Sequence, residues 1–292
     1  MQVIDAWKEV YLAGTEWDQF SDVDRYPWDF GHLDDAINEG NLKDGKLFVF
    51  GTTEPQLVNT KEHPSGTVIP IPVIIVVSSK LAPPSTVSIK SVQRVEEEIL
   101  PMSRMKMGWY PLVPPGVDPI RGAKSQRLYV LKCEQRRAGL KNLKIDRLKQ
   151  YEYVLPYIFF PEKQEEEVPD TVINMMVDLV DGGKPLVFEY DYELDDIDEF
   201  VPEKLKEEDL DGAKYEAQLR DEIKKQVKAT KMKQKAEREA MKKEIDNMST
   251  EEKDSLRTLK AYKFYPQNEE PNVQEFKNTF INRYYLHADE VF

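Results

Sequence analysis

Residues 68–79 read VIPIPVIIVVSS, a run of β-branched and other apolar side chains broken only by two prolines. Such a run predicts a strand that is buried on both faces over much of its length. Because Pro70 and Pro72 have no backbone N–H to donate, we expect this strand to begin at a sheet edge or a bulge. Two further strands are predicted by LFVFG (47–51) and RLYVLKC (127–133).

Helical patterns lie between and after these strands. HLDDAINEG predicts a short helix that ends at Gly40. EQRRAGLKNLKIDRLKQYEYV, from residue 134, predicts a helix of about 20 residues that ends before Pro156. LVFEYDYEL (186–194) alternates strictly and predicts a half-buried strand whose inner face carries Phe188, Tyr190, Tyr192 and Leu194. The mixture predicts an α+β fold with a mixed sheet and short helices.

Two segments of opposite charge follow. Residues 189–211 hold twelve Asp or Glu against two Lys. Residues 213–247 contain no Gly or Pro and predict one long helix. STEEKD has the pattern of a capping box, so a second helix is expected from Ser249 to about Tyr262. Together these two helices would form a long charged helical hairpin.

This pattern predicts three regions in the chain. We expect an α+β body over residues 1–212, which ends in the acidic segment, and a long charged helix with its return helix over 213–262. The remainder, 263–292, is too aromatic for a free tail and is expected to dock on the body.

Composition bounds the class of protein. With 292 residues, 40% of them hydrophobic, the chain is long enough to bury a core despite its net charge of -13. The one cysteine, Cys133, excludes an intrachain disulfide and a cysteine-rich zinc site. The longest apolar stretch is about half a membrane span, so we expect neither secretion nor membrane insertion.

No motif in the sequence points to catalysis. GxGxxG, GxxxxGK[ST], HExxH and GxSxG are all absent, and His32, His63 and His287 have no ligand spacing. Cys133 beside a strand is more typical of a buried structural thiol than of a nucleophile. We therefore expect no enzyme activity, no cofactor, no metal and no small-molecule substrate.

Candidate binding residues come from the two charged segments. The acidic set is interleaved with aromatic side chains, as on surfaces that hold basic partners, although a solvated acidic face is the simpler interpretation; it consists of Asp191, Glu193, Asp195, Asp196, Asp198 and Glu199. The basic set could be a solvated spacer, a contact for a partner or for nucleic-acid phosphates, or a nuclear-import signal; it consists of Lys224, Lys225, Lys228, Lys231, Lys233, Lys235 and Arg238.

Several strings resemble the plant heat-intolerant family of nuclear chromatin proteins. The resemblance runs along nearly the whole chain, in the strings GTEWDQF (14–20), FGTTEPQLV (50–58), SVQRVEEEILPMSRMKMGWYP (91–111), CEQRRAGLKNLKIDRLKQYEYVLPY (133–157), AYKFYPQ (261–267) and FINRYY (280–285). Family members tend to carry a long basic N-terminal extension, which is not part of this sequence. The resemblance gives no binding residue to carry over.

What the resemblance implies is a location in the nucleus, at chromocentres and the nucleolus. It also implies a part in thermotolerance, in heat-induced decondensation of heterochromatin and in release of transcriptional gene silencing, without enzymatic activity. The expected partners are chromatin proteins or histones, with nucleic acid contacted through its backbone and no membrane. The alternative is a nucleolar ribosome-assembly factor that binds RNA or protein through the long basic helix.

Overall fold

The fold is described by a computed structural model that covers residues 6–38, 40, 42–90, 97–112, 127–135, 137–156, 171–179, 185–282, 285 and 287–292. The chain divides into two compact units. Unit 1 consists of Met1–Phe160 and Ser249–Phe292, and unit 2 is Pro161–Met248. Each unit combines strands with helices, which confirms the predicted α+β class.

Unit 1 is built on a seven-stranded sheet whose strands are β1 Leu12–Ala13, β2 Lys46–Val58, β3 Thr67–Ser79, β6 Met107–Pro111, β7 Leu128–Cys133, β11 Lys260–Phe264 and β12 Glu290–Val291. Their order in the sheet is β12-β11-β3-β2-β7-β6, with β1 paired to β2. Strands β2 and β3 pair antiparallel over their whole length, from Lys46 opposite Ser79 to Val58 opposite Thr67.

Strand β3 confirms the prediction made from residues 68–79. Its side chains are buried without a break from Ile69 to Val77, because the strand lies inside the sheet. Among the described strands, β11 pairs with β3 only along Ile74–Ser78. Pro70 and Pro72 therefore lie in a part of β3 where β2 is the one neighbour among the described strands, as expected for residues that have no N–H to donate to a second strand.

A second sheet and several short helices complete unit 1. The sheet has the order β5-β4-β8, with β4 Thr86–Lys90, β5 Glu97–Pro101 and β8 Val154–Pro156. The helices are α1 Ala6–Glu9, α2 Phe20–Val23, α3 Gly31–Asn38, α4 Arg137–Leu140, α5 Ile145–Glu152 and α8 Thr250–Arg257, with a 3-10 turn at Met102–Met105. Helix α3 ends just before Gly40, as predicted, and a Cβ there would come within 2.9 Å of the Ala36 backbone.

The C-terminal segment contributes to the core of unit 1. Tyr285 is 2% exposed, and its ring centre lies 5.2 Å from that of Phe50. Phe292 stacks on Phe264 at 4.7 Å between ring centres. Burying an aromatic side chain of this size stabilises a fold by about 1.5–3 kcal/mol, so these contacts hold the segment in place.

Two predicted helices are wrong in extent. The helix expected from residue 134 is broken into α4 and α5. The break occurs because the backbone turns after Gly139 and because Lys144 is extended. Residue 136, which the predicted helix also included, lies outside the described residues. The helix expected to reach Tyr262 ends at Arg257, since the next residues pair with β3 as strand β11. The capping box at Ser249 is confirmed, with both reciprocal hydrogen bonds present.

Unit 2 consists of a two-stranded antiparallel sheet and two helices. They are β9 Val172–Val177, β10 Leu186–Asp191, α6 Ile197–Glu207 and α7 Gly212–Asn247. Strand β10 alternates as predicted, but it ends at Asp191, and Leu194 is 84% exposed rather than buried. The cause is Asp191, whose carboxylate accepts hydrogen bonds from the backbone N–H groups of Glu193 and Leu194 and so forms a turn.

One apolar core joins all four elements of unit 2. It includes Phe188 and Tyr190 from β10, Val201 from α6, and Leu219 and Ile223 from α7. This division differs from the predicted regions 1–212, 213–262 and 263–292, because α7 shares a core with the strands before it. Helices α7 and α8 belong to different units, so the predicted hairpin is divided between them.

Candidate functional site

A groove on unit 2 gathers residues from both charged segments. It has a volume of about 510 Å³. Its lining consists of Tyr190, Tyr192, Ile197, Ile223, Lys224, Val227, Lys228, Lys231, Met232 and Lys235. An apolar surface edged by cations is therefore exposed to solvent on this unit.

Helix α7 supplies the cationic edge of the groove. Lys224, Lys228, Lys231 and Lys235 are separated by four, three and four residues, which places them on one face of the helix. All four side chains are exposed. At 1.5 Å per residue the row is about 17 Å long. We call these four residues the lysine row.

The floor of the groove is held by hydrogen bonds of its two tyrosines. Tyr190 donates its hydroxyl to the carbonyl oxygen of Asp195 at 3.1 Å, and Tyr192 donates to Oε1 of Gln234 at 3.1 Å. Burial raises the pKa of Tyr190, and nearby carboxylates add to the rise, so this hydroxyl stays protonated as a donor. The Lys231 ammonium lies 4.5 Å from the centre of the Tyr192 ring, a cation–π contact.

The other predicted basic residues do not line the groove. Lys225 pairs with Glu222 of the same helix at 3.2 Å. Lys233 and Arg238 are exposed elsewhere on α7. Of the predicted basic set, the structure thus brings together the lysine row and leaves three members apart from it. One member of the row, Lys235, also lies 4.0 Å from Glu239, but exposed pairs of this kind contribute little.

Most of the predicted acidic residues serve the local fold. Asp195 accepts a hydrogen bond from the Asp191 backbone N–H at 2.8 Å. Asp196 caps α6 by accepting from the Asp198 N–H at 2.8 Å, and Asp198 forms an ion pair with Arg220. These local contacts account for the three carboxylates, so no binding partner is needed to explain them.

The turn at Asp191 shows the same local use of charge. The hydrogen bond from the Glu193 N–H is the largest cause that lowers the pKa of Asp191, so this carboxylate is held ionised in the turn. Glu193 and Glu199 are exposed on this segment. The predicted acidic set is therefore not a single unengaged strip.

The remaining chemistry-bearing groups are dispersed. Burial raises the pKa of Cys133, and its thiol faces the carbonyl oxygen of Met105 at 3.8 Å. Within the described part of the chain, no three or more His, Cys, Asp or Glu residues are grouped to hold a metal ion. None of the helices formed by the described residues is long and apolar enough to cross a membrane.

Comparison with known proteins identifies the family. The chain is 39% identical over 294 aligned residues to Protein HEAT INTOLERANT 4 of Arabidopsis thaliana, across 98% of its own length. The chain belongs to the heat-intolerant family. The alignment covers 66% of the Arabidopsis protein, so the chain spans about two thirds of that relative's length. No family model and no solved structure matches it.

Sequence reasoning named the charged residues of this family member but missed the groove. The spacing of the lysine row was visible in the sequence and marks one helix face. The tyrosines of residues 186–194 are predicted to face a core; Tyr190 is indeed buried, whereas Tyr192 lies after the end of β10 and is half-buried. The sequence did not show that Tyr192, the residue after β10, lies against α7, where its ring contacts the ammonium group of Lys231.

Proposed function

We propose that this chain acts in the heat response as a non-enzymatic, chromatin-associated interaction protein of the nucleus. It would promote heat-induced decondensation of heterochromatin and release of transcriptional silencing. The heat role is supported by sequence similarity, because the chain is 39% identical along 98% of its length to an Arabidopsis protein named for heat intolerance. Its nuclear location, chromatin partners and lack of catalysis are parts of this proposal.

The geometry of unit 2 supports the interaction part of the proposal. The groove presents lysines, tyrosine rings and aliphatic side chains together on an exposed face. This combination suits recognition of another macromolecule, since the charge steers a partner and the apolar floor anchors it.

Complementation tests the proposal in a plant. An Arabidopsis line that lacks Protein HEAT INTOLERANT 4 would receive this chain, the complete relative, or only the aligned part of the relative. We expect the chain to restore both survival after heat and heat-induced loosening of chromocentres. The aligned part of the relative is the matched control, because it has the same extent.

Each failure has its own meaning. Restored survival with chromocentres that stay condensed would overturn the chromatin part and keep the heat role. If the aligned part of the relative restored both traits and this chain restored neither, the heat role of this chain would be overturned.

The second candidate function is that of a nucleolar ribosome-assembly factor. The lysine row favours it, because four exposed cations along about 17 Å of helix can also neutralise phosphates of RNA. Binding to structured RNA that falls steeply with salt and is lost when the row is neutralised would support this candidate over chromatin binding.

A further inference from the structure

The groove on unit 2 has features that restrict its occupant. Its floor is formed by tyrosine and aliphatic side chains, and Met232 remains 64% exposed at its edge. An exposed apolar surface beside charged residues is typical of an interaction site. The lysine row runs along one side and supplies four positive charges.

We infer that the groove binds an acidic amphipathic peptide segment of a partner protein. Carboxylates of that segment would pair with the lysine row, and an aromatic or aliphatic side chain between them would rest on the apolar floor. The inference deepens the proposed function by naming the chemistry of the partner, and it rests on that function only for the partner's place in chromatin.

The spacing of charges fits such a segment. In an extended peptide, side chains on one side recur about every 7 Å. Successive members of the lysine row rise by about 4.5–6 Å along α7, and the flexible four-carbon stems cover the difference. A peptide with carboxylates at alternate positions therefore matches the row over its whole length.

The cation–π contact gives the row a fixed point. Lys231 is held over the Tyr192 ring, and Tyr192 is in turn held by Gln234. One charge of the row is thereby placed next to the floor before a partner arrives. Pre-organisation of this kind lowers the entropy lost on binding.

Nucleic acid fits the same surface less well. A sugar–phosphate backbone would contact the lysines but leave the aliphatic floor uncovered. An amphipathic peptide covers both parts of the surface, since its carboxylates reach the lysine row and its apolar side chains cover Ile197 and the rest of the floor. Charge and apolarity together favour a short acidic peptide.

Fluorescence anisotropy with a defined probe tests the inference. The probe is a short fluorescein-labelled peptide in which aspartates alternate with phenylalanines, titrated with the full chain. We expect saturable binding that weakens as the ionic strength rises from about 0.05 M to about 0.5 M. A peptide with asparagine at each aspartate and one with serine at each phenylalanine should both bind more weakly.

Two matched quadruple variants separate the groove from general charge. K224Q/K228Q/K231Q/K235Q removes the lysine row and should weaken binding about tenfold or more, as expected from four exposed ion pairs. K225Q/K233Q/K242Q/K243Q removes the same charge from the same helix outside the groove and should change the affinity by less than about twofold. Glutamine keeps a high helix propensity, so both variants should fold.

A floor variant adds an independent check. M232Q changes an exposed side chain, so the fold is retained, and it should weaken the probe about threefold through lost apolar contact. Absence of binding, equal losses in the two quadruple variants, or tighter binding of a single-stranded oligonucleotide than of the peptide would each overturn the inference. Probe binding by a chain that fails complementation would leave the groove intact and overturn the proposed function, which keeps the two tests distinct.

Discussion

The ammonium nitrogen of Lys231 lies 4.5 Å from the centre of the Tyr192 ring, so a residue of α7 is held by the residue that follows strand β10. The Tyr192 hydroxyl extends the connection to Gln234 at 3.1 Å. Both contacts lie beyond Ile223, the last residue of α7 that is fully buried among those whose side chains the structure describes. The helix is thus held at the groove after its core packing has ended.

Replacing Tyr192 should loosen this part of α7. Tyr192→Leu removes the ring and the hydroxyl, whereas Tyr192→Phe removes the hydroxyl alone. Because an exposed cation–π contact contributes about 0.5–1 kcal/mol, amides near Lys231 should exchange about two- to fivefold faster in Tyr192→Leu than in Tyr192→Phe. Hydrogen exchange measured by mass spectrometry compares the two, and equal rates would show that the ring contact stabilises nothing.

A buried ion pair should control the stability of unit 1. Lys263 of β11 is fully buried and pairs with Glu54 of β2, while its ammonium also donates to the Phe280 carbonyl oxygen at 2.6 Å. Burial lowers the pKa of Lys263, and Glu54 opposes that change. Glu54→Gln would leave the buried ammonium without its counter-charge and should cost about 3–5 kcal/mol of unfolding free energy.

Urea denaturation followed by tryptophan fluorescence measures this loss. The tryptophans at 7, 17, 28 and 109 all belong to unit 1, so the signal reports that unit alone. The control is Glu54→Gln combined with Lys263→Met, which removes both charges and should recover much of the stability. A double variant no more stable than Glu54→Gln would argue that the lost charge is not the cause.

The fold was more predictable than the site, for physical reasons visible in single elements. Strand β3 has a buried pattern strong enough to be recognised locally. Strand β11 does not, because KAYKF becomes a strand by pairing with β12 and with β3, and β3 lies about 180 residues earlier in the chain. The acidic segment looked like one charged surface, but short Asp side chains reach their own backbone, and the Asp-Asp-Ile-Asp pattern marks a helix start.

Asp196 offers a direct test of that structural role. It caps α6 through the Asp198 N–H, so Asp196→Ala should destabilise unit 2 by about 1 kcal/mol. Asp196→Ser also lacks the charge but can cap the helix, and it should retain nearly all the stability. Hydrogen exchange of the α6 amides distinguishes them; equal destabilisation by both substitutions would point to the charge instead of the cap.

The change in the stability of unit 1 with pH should be due in part to His32. Neither ring nitrogen has a hydrogen-bond partner among the described residues, and the ring lies 5.3 Å from that of Phe264. Burial lowers the pKa of His32 from its ordinary 6.5, Lys277 lowers it further, and Asp29 and Asp35 act in the opposite direction. The unfolded chain therefore binds a proton at His32 near pH 6.5, whereas the folded chain binds that proton only at a lower pH.

The sign of the effect follows from this difference. Stability due to the neutral ring is fully present above pH 6.5 and is lost as the pH falls toward the lowered pKa. His32→Leu should flatten the decline in unfolding free energy between about pH 7 and pH 5, measured by urea titration. His63, an exposed histidine of unit 1, is the matched control because its substitution leaves the half-buried His32 ring in place. An unchanged slope in His32→Leu would show that other groups set the acid sensitivity.

In the proposed function, this family member binds a chromatin protein through the groove on unit 2. The most direct test of this binding is a salt-titrated pull-down of the full chain with reconstituted nucleosomes, free core histones, naked DNA and structured RNA, using the two quadruple variants. We predict binding to nucleosomes, stronger than to naked DNA, that K224Q/K228Q/K231Q/K235Q weakens and K225Q/K233Q/K242Q/K243Q leaves nearly unchanged. Binding to RNA alone, or nucleosome binding that both variants weaken equally, would contradict the claim.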